Sequence, residues 1–397
     1  MNSHDSARMA QSLDKDLAEP SGHAEAATGP HRTRTLKFLS RQAEIIRAAI
    51  ILINRKGVRG MTLADVAAQL GIVPTGVIYY FPNKEALAAA CFVQAIDAYR
   101  EMIAAAAAGR DRSERLALFV KGHFDHAERA ARAEEDGLAV FNDVRALNDP
   151  EVNSAYTDMF RAARDLLKER KGGGPDHAVN AIAHLMLSQL FWSRVWLPLY
   201  DPSDYARAGR RLTDILQNGL AARPSAWDPR RPPMAIAEST LGSDSREAFL
   251  LAATQIINEE GYRGASVEKI SARLNVTKGS FYHHHDAKDD LVVACFERSF
   301  DVMRAAQRRA AVAADGWTRI RETTVSLVEH EVSGDTPLLR TSALTSAPEP
   351  MRDALFAEFG RISMSFASII SDGIADGSVR PVDPHIAAQM ITTTINA

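Results

Sequence analysis

The sequence predicts an all-α protein made of two tandem copies of one unit, and three observations carry that prediction. The frame from Ala48 to Phe92 returns without a gap 204 positions later, as Ala252 to Phe296. Apolar residues recur at helical spacing throughout, and alternating strand patterns are absent. Short helical segments are punctuated at matching places by Gly, by Thr or Ser, and by Pro. The first copy reads Ala48-Ala49, Asn54, Gly57, Arg59-Gly60, Thr62, Leu70, Lys84, Leu87 and Ala90-Cys91-Phe92. The second reads Ala252-Ala253, Asn258, Gly261, Arg263-Gly264, Ser266, Leu274, Lys288, Leu291 and Ala294-Cys295-Phe296. A register held so long marks a duplicated domain rather than shared composition.

The elements follow in order. Residues 1–38 are expected to form a disordered, basic-ended arm: those before about His31 lack periodicity, after which His31, Arg32, Arg34, Lys37 and Arg41 form a basic stretch running into the first helix. From Arg41 to Lys56 the residues Ile45, Ile46, Ala49, Ile50, Leu52 and Ile53 share one helical face, and Gly57 stops it. Thr62 caps a second short helix that Gly71 ends, and a third spans roughly Val73 to Tyr80. After Phe81-Pro82-Asn83 a long fourth helix opens with Lys84-Glu85, completing a domain over 39–99. Amphipathic helices fill 100–222: Ser113 to Arg132, a short piece from Leu138 to Ala146, Pro150 to Lys171, Asp176 to Leu197 and Ser203 to Leu220. The proline-rich stretch 223–242 reads as a linker, 243–303 repeats the first domain, and 304–397 repeats the helical part without its final helices.

Composition sets bounds. A chain of 397 residues, 46% apolar, fills two or three cores. Formal net charge is −3, so a nucleic-acid site must be local. Cys91 and Cys295 occupy equivalent places and read as small buried residues rather than a redox pair. Neither a signal peptide nor a membrane span is recognisable, which predicts a cytoplasmic protein, nucleoid-associated when bound to DNA. The chain carries no phosphate loop, metal-ligand spacing or nucleophile motif, so catalysis and cofactors are not expected.

The run from Ser266 to His284, Ser-Val-Glu-Lys-Ile-Ser-Ala-Arg-Leu-Asn-Val-Thr-Lys-Gly-Ser-Phe-Tyr-His-His, resembles the helix-turn-helix of the TetR family of repressors. The first copy resembles it too, from Thr62 through Gly71-Ile72-Val73, Pro74-Thr75-Gly76 and Tyr79-Tyr80-Phe81 to Lys84-Glu85. That resemblance implies, in each copy, a three-helix DNA-binding domain followed by a helical regulatory domain that binds a small molecule and dimerises through its last two helices. It assigns phosphate contacts to Thr62, Tyr80 and Lys84, and to Ser266, His284 and Lys288. Pro74, Thr75, Gly76 and Tyr79 would face the major groove in the first copy, and Thr277, Lys278, Gly279, Ser280, Tyr282 and His283 in the second. Thr75, Ile78 and His285 depart from the family pattern. The heads differ in charge, +4 from Arg41 to Lys84 against zero from Asp244 to Lys288, so the first is expected to bind DNA more strongly.

His283-His284-His285 is a poor chelate, since consecutive helical residues diverge, and reads as a polar DNA-facing run with no metal. Candidates for an effector pocket are polar or aromatic residues on apolar helices: His123, His126, Asn142, Arg145, His184, Trp192 and Trp196. Core or dimer packing is the competing reading for the two tryptophans. The expected partners are a double-stranded DNA operator and a small-molecule effector of unknown identity. Two assemblies are open, an intrachain pseudo-dimer and the favoured homodimer through Asp176 to Leu220. A linker of about twenty residues, at up to ~3.3 Å each, spans ~60 Å, enough for either. The alternative function is an adaptor in which one or both heads no longer touch DNA.

Overall fold

The structure is a computed structural model that describes residues 30–141, 144, 147–169, 176–223, 245–261, 264–277, 279, 288–333, 337–340, 343–344, 347 and 349–395. Contacts divide the chain after Ala43, and the unit from Glu44 to Ala397 holds both copies. The first copy comprises α1 (Pro30–Gly60), α2 (Leu63–Gln69), α3 (Pro74–Ile78), α4 (Lys84–Ala106), α5 (Arg112–Ala131), α6 (Pro150–Leu166), α7 (Asp176–Trp196) and α8 (Tyr205–Asn218). The second comprises α9 (Ser245–Glu260), α10 (Val267–Arg273), α11 (Lys288–Ala310), α12 (Gly316–Ser333), α13 (Glu349–Ala375) and α14 (Pro384–Ile395). Among the described residues the β-structure is a single isolated bridge, Ala221 to Val379.

The duplication is visible atom by atom. Gly57 and Gly261 both take positive φ, 68° and 78°, breaking the chain after the first helix of each copy. Thr62 and Ser266 are both extended N-caps whose hydroxyls accept the amides of Asp65 and Lys269. The turn after the second helix needs a left-handed residue, and Gly71 (65°) and Asn275 (55°) supply it, asparagine being the side chain that best tolerates that region. Cys91 and Cys295 are buried and free, their thiols directed at the carbonyls of Ile46 and Leu250. Burial pushes both thiols up to about 12, which makes them inert core residues.

The two copies pack against each other along α7 and α8. Helix α14 lies against both. Trp192 on α7 packs tilted against Phe356 and edge-on against Phe359 of α13, ring centroids 6.2 and 5.5 Å away, and donates its indole N–H to Gln389 Oε1 of α14. Gln189 donates to Met390 O and Thr394 Oγ1, each at 3.1 Å. Arg211 pairs with Asp383, Tyr200 meets His385 Nδ1 at 3.1 Å, and Arg380 pairs with Asp214 at 2.7 Å. The apolar faces expected to receive a second chain thus carry the second copy of the same chain.

Two expectations are corrected. Positions 30–38 belong to α1 rather than to a disordered arm, because Pro30 starts a run without further Pro or Gly, and a first-turn Pro is compatible with a helix. Of the expected helix from Leu138 to Ala146, Leu138 to Val140 are not helical, while Phe141 and Val144 lie in 3-10 turns. At its start Asn54 ties the backbone to α1 instead: Asn54 Nδ2 donates to Leu138 O and Val140 N donates to Asn54 Oδ1, both at 3.0 Å. Positions 1–29 and nearly all of the linker lie outside the described residues.

Candidate nucleic-acid interface and ligand cavity

In the first head, α3 offers Pro74, Thr75, Ile78 and Tyr79 to solvent while Val77 anchors it in the core. Tyr79 is 74% exposed, and its ring meets that of Tyr80 edge-on at 5.1 Å. Thr62 is exposed at its cap, Gly76 is half-buried over Ile72, and Lys84 opens α4 with Nζ 3.3 Å from Arg59 O. These residues form one surface at the end of the head.

The second head repeats the frame with different electrostatics. Ser266 caps α10, and Thr277 and Gly279 are exposed. Lys278, Ser280, Tyr282, His283, His284 and the Lys288 side chain lie outside the described residues. Two of this head's cations are engaged internally: Lys269 pairs with Glu260, and Arg273 with Glu259 at 2.9 Å. The first head's nearest analogue is the looser Lys56–Asp65 pair at 3.6 Å. The heads also meet, since a Cβ added to Gly264 would stand 3.1 Å from Arg59 Nη1.

Behind the first head, α4, α5, α7 and the segment Gly137–Phe141 line a partly open cavity of about 290 Å³. Its walls include Asn54, Tyr99, His123, His126, Phe141, Phe191, Ser193, Arg194 and Tyr205. One polar relay runs through it, and counting protons fixes its direction. Ser193 spends its hydroxyl proton on Leu190 O (2.7 Å), so His123 Nε2–H must donate to Ser193 Oγ (2.9 Å). His123 Nδ1 is then an acceptor, and Tyr99 O–H donates to it (3.1 Å). Burial foremost, then the neighbouring His126, pushes His123 down to about 3, so this ring is neutral at physiological pH. His126 Nδ1 lies 2.7 Å from Glu135, while its Nε2 is buried without a partner.

One wall of the cavity is also the joint to the head. Asp136 pairs with Arg47 of α1, and Leu138 and Val140 are held by Asn54 of α1, while Glu135 is gripped from α5 by Arg129 at 2.8 Å. The second copy keeps the joint but not the cavity relay. Asn258 binds Leu338 O (2.8 Å) and the Arg340 amide (3.0 Å) in the same way. Where the first copy has Tyr99 and His123, the second has fully buried Met303 and Leu327. Where the first has Ala95 and Ala127, the second has Ser299 and Glu331, which accept the amides of Leu339 and Leu338.

Of the pocket candidates read from sequence, His123 and His126 line the cavity, while Asn142 and Arg145 lie outside the described residues. The other three lie elsewhere. His184 is exposed on α7, Trp192 is between the copies, and Trp196 is buried against Phe124 and Tyr200. Helical spacing explains this: Trp192 and Trp196 share a face of α7 that looks away from α4. Sequence reading missed Tyr99, Ser193 and Arg194. Tyr99 was detectable as a polar-capable residue that the second copy replaces with Met303.

Comparison with known proteins agrees with this architecture. A family described as bacterial regulatory proteins, tetR family, matches residues 45–91 and again residues 249–295. The chain is similar to the transposon Tn10 TetC protein of Escherichia coli, 25% identical over 138 residues, covering 34% of this chain and 67% of that protein. It is similar to the HTH-type transcriptional activator FasR of Mycolicibacterium smegmatis, 26% identical over 172 residues, covering 37% and 78%. The HTH-type transcriptional repressor DhaR of a Mycobacterium species, strain GP1, is 25% identical over 138 residues, covering 34% and 70%. Among solved structures, apo AibR matches with 24% identity over 36% of this chain and 79% of its own, at a TM-score of 0.32. The duplicated helix-turn-helix, the all-α fold and both family matches make the chain a tandem member of the TetR family of DNA-binding transcriptional regulators.

Proposed function

We propose that the chain is a ligand-responsive repressor that acts as its own dimer, with both heads docking on one operator. Three considerations support this reading. The faces of α7 and α8 are occupied by α13 and α14, so the same faces are not open to a second chain. Two heads in one chain satisfy the two-half-site logic of helix-turn-helix binding, in which recognition helices enter grooves about 34–36 Å apart. The heads carry different groove-facing residues, with Tyr79 in the first and Tyr282 and His283 in the second, so the operator would have two unlike half-sites rather than a palindrome. Thr62, Tyr80 and Lys84, with Ser266, His284 and Lys288, are the proposed phosphate contacts.

The observation that carries the regulatory part is the double duty of Leu138 to Val140, which are cavity wall on one side and hydrogen-bonded to Asn54 of α1 on the other. A ligand that displaces this wall acts on α1 directly and shifts the first head out of register. Occupancy is thereby converted into loss of operator affinity, by as much as the ligand's preference for the displaced wall.

A gel-shift assay with DNA from upstream of the gene tests the reading, comparing Tyr79→Ala with Tyr282→Ala. Weakening in both variants is expected, and loss of binding in neither would overturn it in favour of the adaptor. The internal pairing of Lys269 and Arg273 favours a second version, in which the first head alone binds tightly. Under that version only Tyr79→Ala weakens binding.

A further inference from the structure

We infer that the first copy's cavity is a receptor for a small organic anion, a carboxylate carried on a compact apolar body, and that each chain has one such site. This rests on the ligand-responsive reading above and names the ligand class. The charge inventory of the walls is one-sided. Arg194 and two histidines line the cavity, no described lining residue is acidic, and Arg194 has no carboxylate partner among the described residues. The nearest acid on the same side, Glu135, is already held by Arg129 and His126.

Arg194 is solvent-accessible on α7 and stands in the cavity lining. Burial pulls its guanidinium down to about 10, so it keeps its charge at neutral pH without a partner for it. A ligand carboxylate that fits the guanidinium fork gains two charge-assisted hydrogen bonds. His126 adds a second polar point. Its Nδ1 is committed to Glu135, while the buried Nε2 is left without a partner. Tyr99, by contrast, has spent its proton on His123 and cannot donate. Opposite these groups, Leu138, Phe141, Phe191 and Leu197 offer only apolar surface, and about 290 Å³ is at the lower end of small-molecule sites.

The second copy argues for a single site. Met303 and Leu327 replace Tyr99 and His123, and Glu331 and Ser299 tie down the segment that forms the wall in the first copy. What is a hinged wall in one copy is a fastened one in the other.

Calorimetry on the full chain tests this with two size-matched series: octanoate, octanamide and octylamine; and phenylacetate, phenylacetamide and phenethylamine. The expected result is carboxylate binding at one per chain, at least tenfold tighter than the amide and with no binding of the amine. Arg194→Gln should lose that preference tenfold or more while the ligand-free melting temperature stays level, since Arg194 is exposed and holds no carboxylate among the described residues. Arg194→Lys, which keeps the charge but not the fork, should fall between. Amides or amines that bind as well as carboxylates, two sites per chain, no binding of either carboxylate, or an unchanged Arg194→Gln would each overturn the inference. Binding to upstream DNA without added anion separates the two readings. If DNA binding persists while carboxylates fail, only the ligand class falls; if carboxylates bind but DNA does not, the regulator reading falls.

Discussion

Replacing Asn54 with Ala should open the cavity wall without unfolding the head, and its second-copy twin Asn258→Ala should not. Asn54 makes two 3.0 Å hydrogen bonds to the backbone of Leu138 and Val140. At about 0.5–1.5 kcal/mol net each, their loss destabilises the closed wall by roughly 2 kcal/mol, about thirty-fold in the local opening equilibrium. The Val140 amide has no other described partner, so its hydrogen exchange should accelerate by that factor. The equivalent segment in the second copy has three further attachments: Leu338 N to Glu331, Leu339 N to Ser299 and Arg298 to Pro337 O. Asn258→Ala should therefore raise exchange at Leu338 and Leu339 by less than about threefold, since their own partners survive. Hydrogen exchange read by mass spectrometry on both variants decides the matter. Equal acceleration in the two copies, or none at residues 137–141 in Asn54→Ala, would refute the claim that one wall is hinged and the other fastened.

Four further outcomes follow from the same geometry. Acidification should destabilise the protein through His123: it is neutral in the fold down to about pH 3 but takes a proton in the unfolded chain below its ordinary value of 6.5, so stability falls as pH drops between those limits, by up to ~1.4 kcal/mol per pH unit. His123→Leu, which copies Leu327, should flatten that slope in pH-dependent denaturation. Trp192→Ala removes the packing on Phe356 and Phe359 and should lower the denaturation free energy by about 3–5 kcal/mol, read by urea unfolding. Tyr79→Ala touches little and should leave stability within about 0.5 kcal/mol, while fluorescence anisotropy shows operator affinity falling roughly tenfold. Glu259→Gln with Glu260→Gln should release Arg273 and Lys269 and steepen the salt dependence of DNA binding by about one to two ions, where an unchanged slope would mean that neither cation reaches a phosphate.

Local chemistry made much of this fold legible in the sequence. Thr62 and Ser266, Gly71 and Asn275, and Gly57 and Gly261 occupy their places because caps and left-handed turns make demands that a short window of sequence already states. Asn54 and Asn258 stood out as matched residues, but their task was hidden, because each binds a segment more than eighty residues away. Leu138 to Val140 were misread for the same reason: their apolar spacing suits a helix, and a side chain from α1 holds their backbone instead. The cavity was half legible. His123 and His126 betray themselves as polar residues on apolar α5, whereas Arg194 on α7 is an exposed arginine whose place in the cavity lining depends on segments distant in sequence. Trp192 shows the converse error, since an aromatic near a pocket helix can face another domain.

The account turns on the second copy serving as the dimer partner of the first. Native mass spectrometry of the full chain, alone and with an upstream duplex that it retards in a gel, addresses that directly. A 43.4 kDa monomer and a complex of one chain per duplex are expected. A stable dimer at micromolar concentration, or two chains on one duplex with no one-chain complex, would contradict it.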